Sequence, residues 1–142
     1  MIQVNKINNM VDLEAAFAIR KQVFVIEQQC PEEEEYEHDE VSIHYLATVN
    51  GNSAGTARWR VTENGVKLER FAVLQEYRKR GVASALVETI LDELLLQPYK
   101  KIYLHAQVQA MPLYEKFGFE KQGEIFYEAN IPHYKMEYHK PS

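Results

Sequence analysis

The chain has 142 residues, a formal net charge of −5 and a single cysteine. Its length fits one domain, 1–142, and its content of 46% hydrophobic and 26% charged residues is ordinary for a globular protein. The negative charge argues against a general nucleic-acid binder, no apolar run is long enough to cross a membrane, and one cysteine excludes an internal disulfide. Since the start also lacks the pattern of a signal peptide, we expect a cytoplasmic protein.

The first half of the chain predicts one strand, one helix and a meander of three strands. Ile2–Ile7 alternates apolar and polar residues, as a strand does, and about Met10–Val25 has apolar residues at helical spacing. Pro31 ends this regularity, and the acidic run 32–40 is expected to be an exposed loop or a loose helical turn. Glycine-containing turn signals separate the strands of the meander, which we place at Ile43–Val49, Ser53–Val61 and Val66–Leu74.

The second half predicts a long helix that opens at Gly81 and stops before Pro98. It joins two predicted strands, Val66–Leu74 and Lys101–Ala106, and such a helical crossover favours parallel pairing of the strands it connects. A short helix at Gln109–Phe117 and two extended segments from Phe119 through Met136 complete the pattern. The arrangement is α+β, and a ligand is expected where the first of these strands ends opposite the helix N-terminus.

A basic turn lies between that strand and the long helix. Arg78, Lys79 and Arg80 supply positive charge next to a helix N-terminus, whose free amides and dipole favour anions. Gly81 and Ala83 lack the bulk that would hold a phosphate away from the backbone. Neither a Walker loop nor a dinucleotide fingerprint is present. The alternative for these residues in isolation is a solvated surface turn.

Two motifs in this region resemble those of one superfamily. The spacing Arg78-x-x-Gly81-x-Ala83 resembles the coenzyme A pyrophosphate loop, Q/R-x-x-G-x-G/A, of the GNAT superfamily of N-acetyltransferases. The segment Gln107–Phe119 is similar to the second motif, N-x-x-A-x-x-L-Y-x-x-x-G-F, with Gln107 where asparagine is usual. Both motifs stand in the family's order, separated by one helix and one strand.

The flanking segments narrow the resemblance to the small YjcF/ElaA-like branch. They include Ile19–Gln28, Gly55–Arg58, His105–Gln107 and Gly123–His133, so the resemblance covers nearly the whole chain. It implies a mixed, mostly antiparallel twisted sheet of about six or seven strands, with a splayed parallel central pair and flanking helices.

The resemblance implies that acetyl-CoA enters between the two parallel strands. Main-chain groups of the first strand would pair with the pantetheine arm, one amide would polarise the thioester carbonyl, and the amides after the basic turn would hold the pyrophosphate. The cofactor-binding residues implied in this way are Phe71, Ala72, Val73, Arg78, Lys79, Arg80, Gly81, Val82, Ala83, Ser84 and Gln107.

The resemblance makes Tyr114, at the tyrosine position of the second motif, the catalytic candidate, because the departing coenzyme A thiolate can take a proton from a phenol. A free tyrosine is a weaker acid than a thiol, so Tyr114 either donates a proton to the thiolate or only hydrogen-bonds the sulfur.

A general base is less well defined by the sequence. Glu27, Gln28, Glu69 and His133 are the candidates for the acceptor side, as bases or as ordering groups. Glu69 and Arg70 are neighbours on a strand, so at most one of them is expected to face the cleft. The histidines have no spacing typical of a metal site, and we expect no metal.

The leading interpretation is an enzyme that moves an acetyl group from acetyl-CoA to a primary amine of a small molecule, by direct attack in a ternary complex. The alternative is a non-catalytic acyl-CoA binding or sensing module. A nucleic-acid binder is disfavoured by the net charge of −5. A homodimer is compatible with the superfamily.

Overall fold

In the computed structural model, which describes residues 1–32, 36–99 and 101–139, one twisted sheet of seven strands organises the chain. The strands are β1 (Ile2–Lys6), β2 (Ile43–Val49), β3 (Asn52–Thr62), β4 (Gly65–Val73), β5 (Ile102–Gln107), β6 (Phe119–Glu128) and β7 (Ile131–Tyr138). Their order is β1-β2-β3-β4-β5-β7-β6, and every neighbouring pair is antiparallel except β4 and β5. The predicted mixed sheet with a parallel central pair is confirmed.

The helices lie where the sequence predicts them, with one change of type. Helix α1 (Met10–Arg20) begins at Asn9, whose side chain accepts the amide hydrogen of Asp12 at 2.9 Å. Its continuation, Lys21–Glu27, is a π-helix rather than further α-helix. Helix α2 is Val82–Leu94, and the predicted short helix is a 3-10 turn at Val108–Ala110 followed by α3 (Met111–Glu115).

The acidic run is only partly described. Residues 33–35 of the predicted loop lie outside the described residues. The described part contains turns at 36–38 and a 3-10 turn at Asp39–Val41 that leads into β2.

The two faces of the sheet differ in character. Helix α2 covers one face with an apolar stripe that reaches the buried side chains of β2, β4 and β5, and this forms the larger core. Buried members of that core include Val82, Leu86, Ile90, Leu94, Tyr45, Val66, Leu68 and Leu104. On the opposite face, α1 and the π-helix pack a smaller apolar cluster of Ile19, Val23, Phe24, Leu46 and Ala72. The rest of that second face carries charged and polar side chains.

The parallel strands separate soon after they meet. They pair only at Val66–Ile102, Lys67–Tyr103 and Leu68–Leu104. Beyond this point β4 contains a bulge, since Arg70 has φ 60° and the β3–β4 register shifts between Thr56 and Arg58. The edge of β4 that faces β5 is therefore left open from Glu69 onward, and a cleft begins there.

Candidate active site

The cleft between β4 and β5 has a volume of about 790 Å³. Its walls come from β4, β5, α3 and the β6–β7 hairpin, and the end of the π-helix closes one side. This volume falls within the range of small-molecule sites. The cleft is therefore the place where the residues singled out by the sequence can meet a ligand.

Free backbone amides lie beyond the end of β4, at the start of α2. Gly81 is the N-cap with φ 89°, and it makes no side-chain cap. The first bond of the helix runs from the amide of Ala85 to the Gly81 carbonyl at 3.0 Å. Among the described residues, no acceptor takes the amide hydrogens of 79–84. An uncapped N-terminus of this kind can bind an anion through backbone and dipole together.

Two cations beside this turn have defined positions. The guanidinium of Arg80 lies 5.7 Å from the centre of the Tyr77 ring. Lys116, which follows α3, donates to the hydroxyl of Ser84 at 3.3 Å. The sequence analysis missed Lys116, because only the packing of α3 beside α2 brings it to the first turn of that helix.

Arg78 turns back toward β4 instead of lying over the amides. Its Nε donates to the carbonyl of Val73 at 2.9 Å, and its Nη2 donates to both carboxylate oxygens of Glu27 at 3.0 and 2.9 Å. The predicted cofactor residue Arg78 and the predicted acceptor-side residue Glu27 thus form one ion pair that joins the end of β4 to the π-helix.

A second link crosses the cleft through two amides. Gln107, at the end of β5, donates to Gln28 Oε1 at 3.0 Å. Gln109 in turn donates to Gln107 Oε1 at 2.5 Å. Residues that are 79 positions apart in the chain are therefore in contact.

Tyr114 lies at the floor of the cleft. Its ring meets Phe71 edge-on at 5.5 Å and Phe119 at 6.1 Å between centroids, and only 6% of the residue is exposed. Burial raises the pKa of the Tyr114 phenol above its ordinary value of 10.0. Within the described part of the chain its hydroxyl makes no hydrogen bond. The phenol thus holds its proton tightly and can donate a hydrogen bond to a ligand.

Glu69 is held by cations on the polar face of the sheet. Its Oε2 accepts from Nε of Arg58 at 2.7 Å and from Nε of Arg60 at 2.9 Å, and Lys67 lies 3.4 Å from its other oxygen. Burial alone would raise the pKa of Glu69, but these cations outweigh burial and lower the pKa to about 2. This carboxylate is poorly suited to accept a proton near neutral pH.

Arg58 is also part of a buried charge network. Asp39 Oδ1 accepts from Nη1 of Arg58 at 2.5 Å and from Nη1 of Arg20 at 2.8 Å. Both arginines are 1% exposed. The network fixes the loop before β2 against α1 and β3, and burial lowers the pKa of neighbouring His44. The sequence analysis did not single out this network, although strand alternation does place Arg58 and Arg60 on one face.

Both Glu69 and Arg70 line the cleft, whereas regular strand alternation predicts that at most one of their side chains faces it. The reason is the left-handed conformation of Arg70, which interrupts the alternation of side chains at the bulge.

A group of two histidines and one carboxylate lies on the β5 side. Nδ1 of His105 is 3.1 Å from Glu128 Oε2, and Nε2 of His133 is 3.7 Å from Glu128 Oε1. The bond from His105 is the main cause that lowers the pKa of Glu128. The sequence analysis named His133 but missed Glu128, because only the β6–β7 hairpin register brings them together.

The predicted site residues fall into two sets. The cleft is lined by the residues predicted for the pantetheine arm, the catalytic step and the acceptor side: Phe71, Ala72, Val73, Arg78, Gln107, Tyr114, Glu27, Gln28, Glu69 and His133. The turn and the first helical residues beyond the cleft are formed by Lys79, Arg80, Gly81, Val82, Ala83 and Ser84.

Over the described ranges, no group of three or more metal-ligating side chains is found. No helix among them is long and apolar enough to cross a membrane.

Comparison with known proteins identifies the class to which this architecture belongs, the GNAT acetyltransferases. A family model described as "Acetyltransferase (GNAT) domain" matches residues 10–140. The chain therefore belongs to the GNAT acetyltransferase family and is an acyltransferase.

Relatives of known name are consistent with the narrower branch. A Bacillus subtilis protein that carries an acetyltransferase name is 38% identical over 140 residues, covering 95% of each chain. The N-acetyltransferase YjcF of the same organism is 35% identical over 130 residues, which cover 90% of this chain and 93% of YjcF. The crystal structure of Escherichia coli ElaA superimposes with a TM-score of 0.84 at 26% identity, covering 98% of this chain and 100% of ElaA.

Proposed function

We propose that the protein transfers an acetyl group from acetyl-CoA to a primary amine of a small molecule, by direct attack of the amine within a ternary complex. The observation that carries the proposal is the run of unpaired amides at 79–84, at the end of a cleft that opens between splayed strands. Acetyl-CoA, the acyl donor of the GNAT family, has a diphosphate and an amide-bearing arm that suit these two features.

The residues present fit this co-substrate. The amides from Lys79 to Ser84 would bind the pyrophosphate, with Arg80 and Lys116 adding positive charge. The open edge of β4 at Phe71–Val73 would bind the pantetheine arm, and Gln107 would contact it from the β5 side. When bound, acetyl-CoA supplies the activated acyl carbon.

Tyr114 would hydrogen-bond the thioester sulfur. Its buried phenol keeps its proton at neutral pH and has a free hydrogen in the described structure. Since burial raises its pKa, stabilising the departing sulfur by a hydrogen bond is favoured over full proton transfer.

On the acceptor side, the remaining candidates would take different roles. Glu69 orders Arg58 and Arg60, Glu27 holds Arg78, and Gln28 bridges to Gln107. His133 is the candidate among them that keeps a ring nitrogen next to the cleft without an arginine partner. We also propose a cytoplasmic location and a homodimer.

The proposal is tested by binding and by turnover. Calorimetry with acetyl-CoA should detect binding, and thiol release should follow with at least one of ethylamine, tyramine, L-lysine and spermidine, with the acetylated amine identified by mass spectrometry. Absence of acetyl-CoA binding would overturn the proposal. Tight binding without turnover on any of the four amines would favour the acyl-CoA sensing module instead.

A further inference from the structure

We propose that His105 and Glu128 form a catalytic dyad, in which Nε2 of His105 accepts the proton of the acceptor ammonium and Glu128 positions the imidazole. This inference rests on the proposed function, and it assigns the proton acceptor of that reaction. His105 would be the catalytic residue and Glu128 a positioning residue.

The hydrogen bond between the two side chains defines the tautomer. Nδ1 of His105 lies 3.1 Å from Glu128 Oε2. An ionised carboxylate can only accept, so Nδ1 must carry the hydrogen. In the neutral ring Nε2 then carries the lone pair. His105 lines the cleft and its side chain is 25% exposed, so this lone pair can meet a ligand.

Neighbouring groups hold the dyad in place. The Phe126 ring meets the His105 ring edge-on at 5.0 Å and stacks on His133 at 5.9 Å. Nδ1 of His133 donates to the carbonyl of Ile131 at 2.7 Å. Glu128 is thus fixed between two imidazoles, and its charge would stabilise the imidazolium that forms when His105 gains a proton.

The position of His105 suits a role at the reacting centre. It directly follows Leu104, the last β5 residue that pairs with β4, so it stands where the cleft opens. Two other carboxylates of the cleft are already engaged, Glu69 by Arg58 and Arg60 and Glu27 by Arg78. A third, Glu37, is largely exposed and lies 3.9 Å from His38. His105, in contrast, has both a carboxylate partner, Glu128, and a lone pair on Nε2 that a proton of the ligand can reach.

Charged groups around the dyad come from three strands. Glu128 lies on β6, His133 and Lys135 on β7, and Lys67 on β4. Lys135 pairs with His105 across the strands, and Lys67 contributes to the lowered pKa of Glu128.

The proposed step balances as follows. The ammonium of the acceptor gives one proton to Nε2 of His105, and the freed electron pair of nitrogen forms the new C–N bond. The C–S bond breaks, and sulfur leaves with its electrons. A second proton of the nitrogen passes to the sulfur through water while Tyr114 hydrogen-bonds the sulfur, the third remains on the amide, and His105 releases its proton to solvent.

The tautomer is tested without any substrate. Long-range proton–nitrogen NMR of the ¹⁵N-labelled full chain, assigned with His105→Gln, should show the neutral His105 ring protonated at Nδ1. Glu128→Ala, which leaves no acceptor at this position, should remove this single tautomer. A wild-type ring protonated at Nε2 would overturn the dyad.

Kinetics test the catalytic role on the amine with the highest turnover in the panel above. His105→Gln should lower kcat/KM by roughly 10²- to 10⁴-fold, and Glu128→Gln by roughly 10- to 100-fold, with acetyl-CoA affinity unchanged. The deficit of His105→Gln should shrink as pH rises toward about 10.4, where a lysine-like acceptor loses its own proton. A purely structural role would give no such pH dependence.

A matched control is the surface pair His139–Glu120, whose nearest atoms are 3.7 Å apart. His139→Gln should keep wild-type activity at every pH. Equal activity of His105→Gln and His139→Gln would overturn this inference and leave the proposed function intact. If the wild type acetylates none of the amines, the proposed function and the catalytic role both fail.

Discussion

Arg78 and Glu27 share two hydrogen bonds, 3.0 and 2.9 Å long, across the space between β4 and the π-helix. The same arginine also occupies the carbonyl of Val73, a main-chain group expected to contact the pantetheine arm. If acetyl-CoA binds as proposed, this ion pair would compete with it for both the guanidinium and the strand edge.

Breaking that pair should strengthen cofactor binding. In Glu27→Gln the carboxylate charge is lost, and Arg78 becomes free to approach the diphosphate. A partly exposed ion pair contributes up to about 1 kcal/mol, so we expect acetyl-CoA affinity to rise by roughly two- to fivefold. Calorimetry measures the change, and Glu76→Gln, in the exposed 3-10 turn after β4, is the control. Weaker binding in Glu27→Gln alone would show that the pair orders the site instead.

A negative charge in the first turn of α2 should weaken acetyl-CoA binding without lowering the stability of the fold. Ala83→Asp places a carboxylate near the free amides, where it interacts favourably with the helix dipole. The melting temperature should therefore stay constant or rise slightly, while acetyl-CoA affinity falls at least tenfold through repulsion of the phosphates. Ala83→Ser adds a polar atom without charge and should bind nearly as the wild type does. Unchanged affinity in the aspartate variant would place the diphosphate elsewhere.

Removing the hydroxyl of Tyr114 should impair turnover without harming the fold. Tyr114→Phe loses no hydrogen bond within the described structure, so the free energy of unfolding should change little. We expect kcat to fall by roughly 10- to 100-fold, with acetyl-CoA affinity nearly unchanged. The control is Tyr138→Phe, which alters the neighbouring aromatic pair with Phe119 at 5.6 Å. Equal kcat for both variants would remove Tyr114 from the mechanism.

Glu69 should make the free energy of unfolding depend on pH. Its pKa is lowered from 4.5 to about 2 in the folded protein, so its stabilising contribution is present above pH 4.5 and is lost as pH falls toward 2. This contribution is about 3 kcal/mol at neutral pH. Denaturant unfolding between pH 7 and pH 2 should show the loss in the wild type and a reduced loss in Glu69→Gln.

The glutamine variant should also be less stable at neutral pH, because it removes one of the two carboxylate partners of the buried Arg58. Glu120→Gln, which alters an exposed acid, should follow the wild-type curve. If Glu69→Gln matches the wild type at every pH, the ion pairs around Glu69 do not stabilise the fold.

The sheet itself was accessible from the sequence. Alternation in the first strand and glycine-containing turns in the meander placed β2 at Ile43–Val49 and the other early strands within one residue of their observed ends. The crossover helix correctly predicted parallel pairing of β4 and β5. These features are local or depend on one connection, so hydrophobic periodicity is enough to find them.

The electrostatic interactions of the site could not be predicted from the sequence in the same way. Whether Glu69 can act as a base depends on Arg58 and Arg60, which meet it only through the register of β3 on β4. The bulge at Arg70 was missed because no glycine marks it, although its φ is 60°. The contact of His105 with Glu128 likewise requires β7 to lie between β5 and β6.

The three-pair seam between β4 and β5 divides the sheet into two blocks, β1–β4 and β5–β7–β6. A molecule that pairs with the open edge of β4 and also contacts β5 would take the place of a strand between them and so join the two blocks. Occupancy of the cleft would then slow hydrogen exchange well away from any contact, in the amides of β7. The unliganded chain would be the more flexible form, and its flexibility would be concentrated along the boundary between β4 and β5.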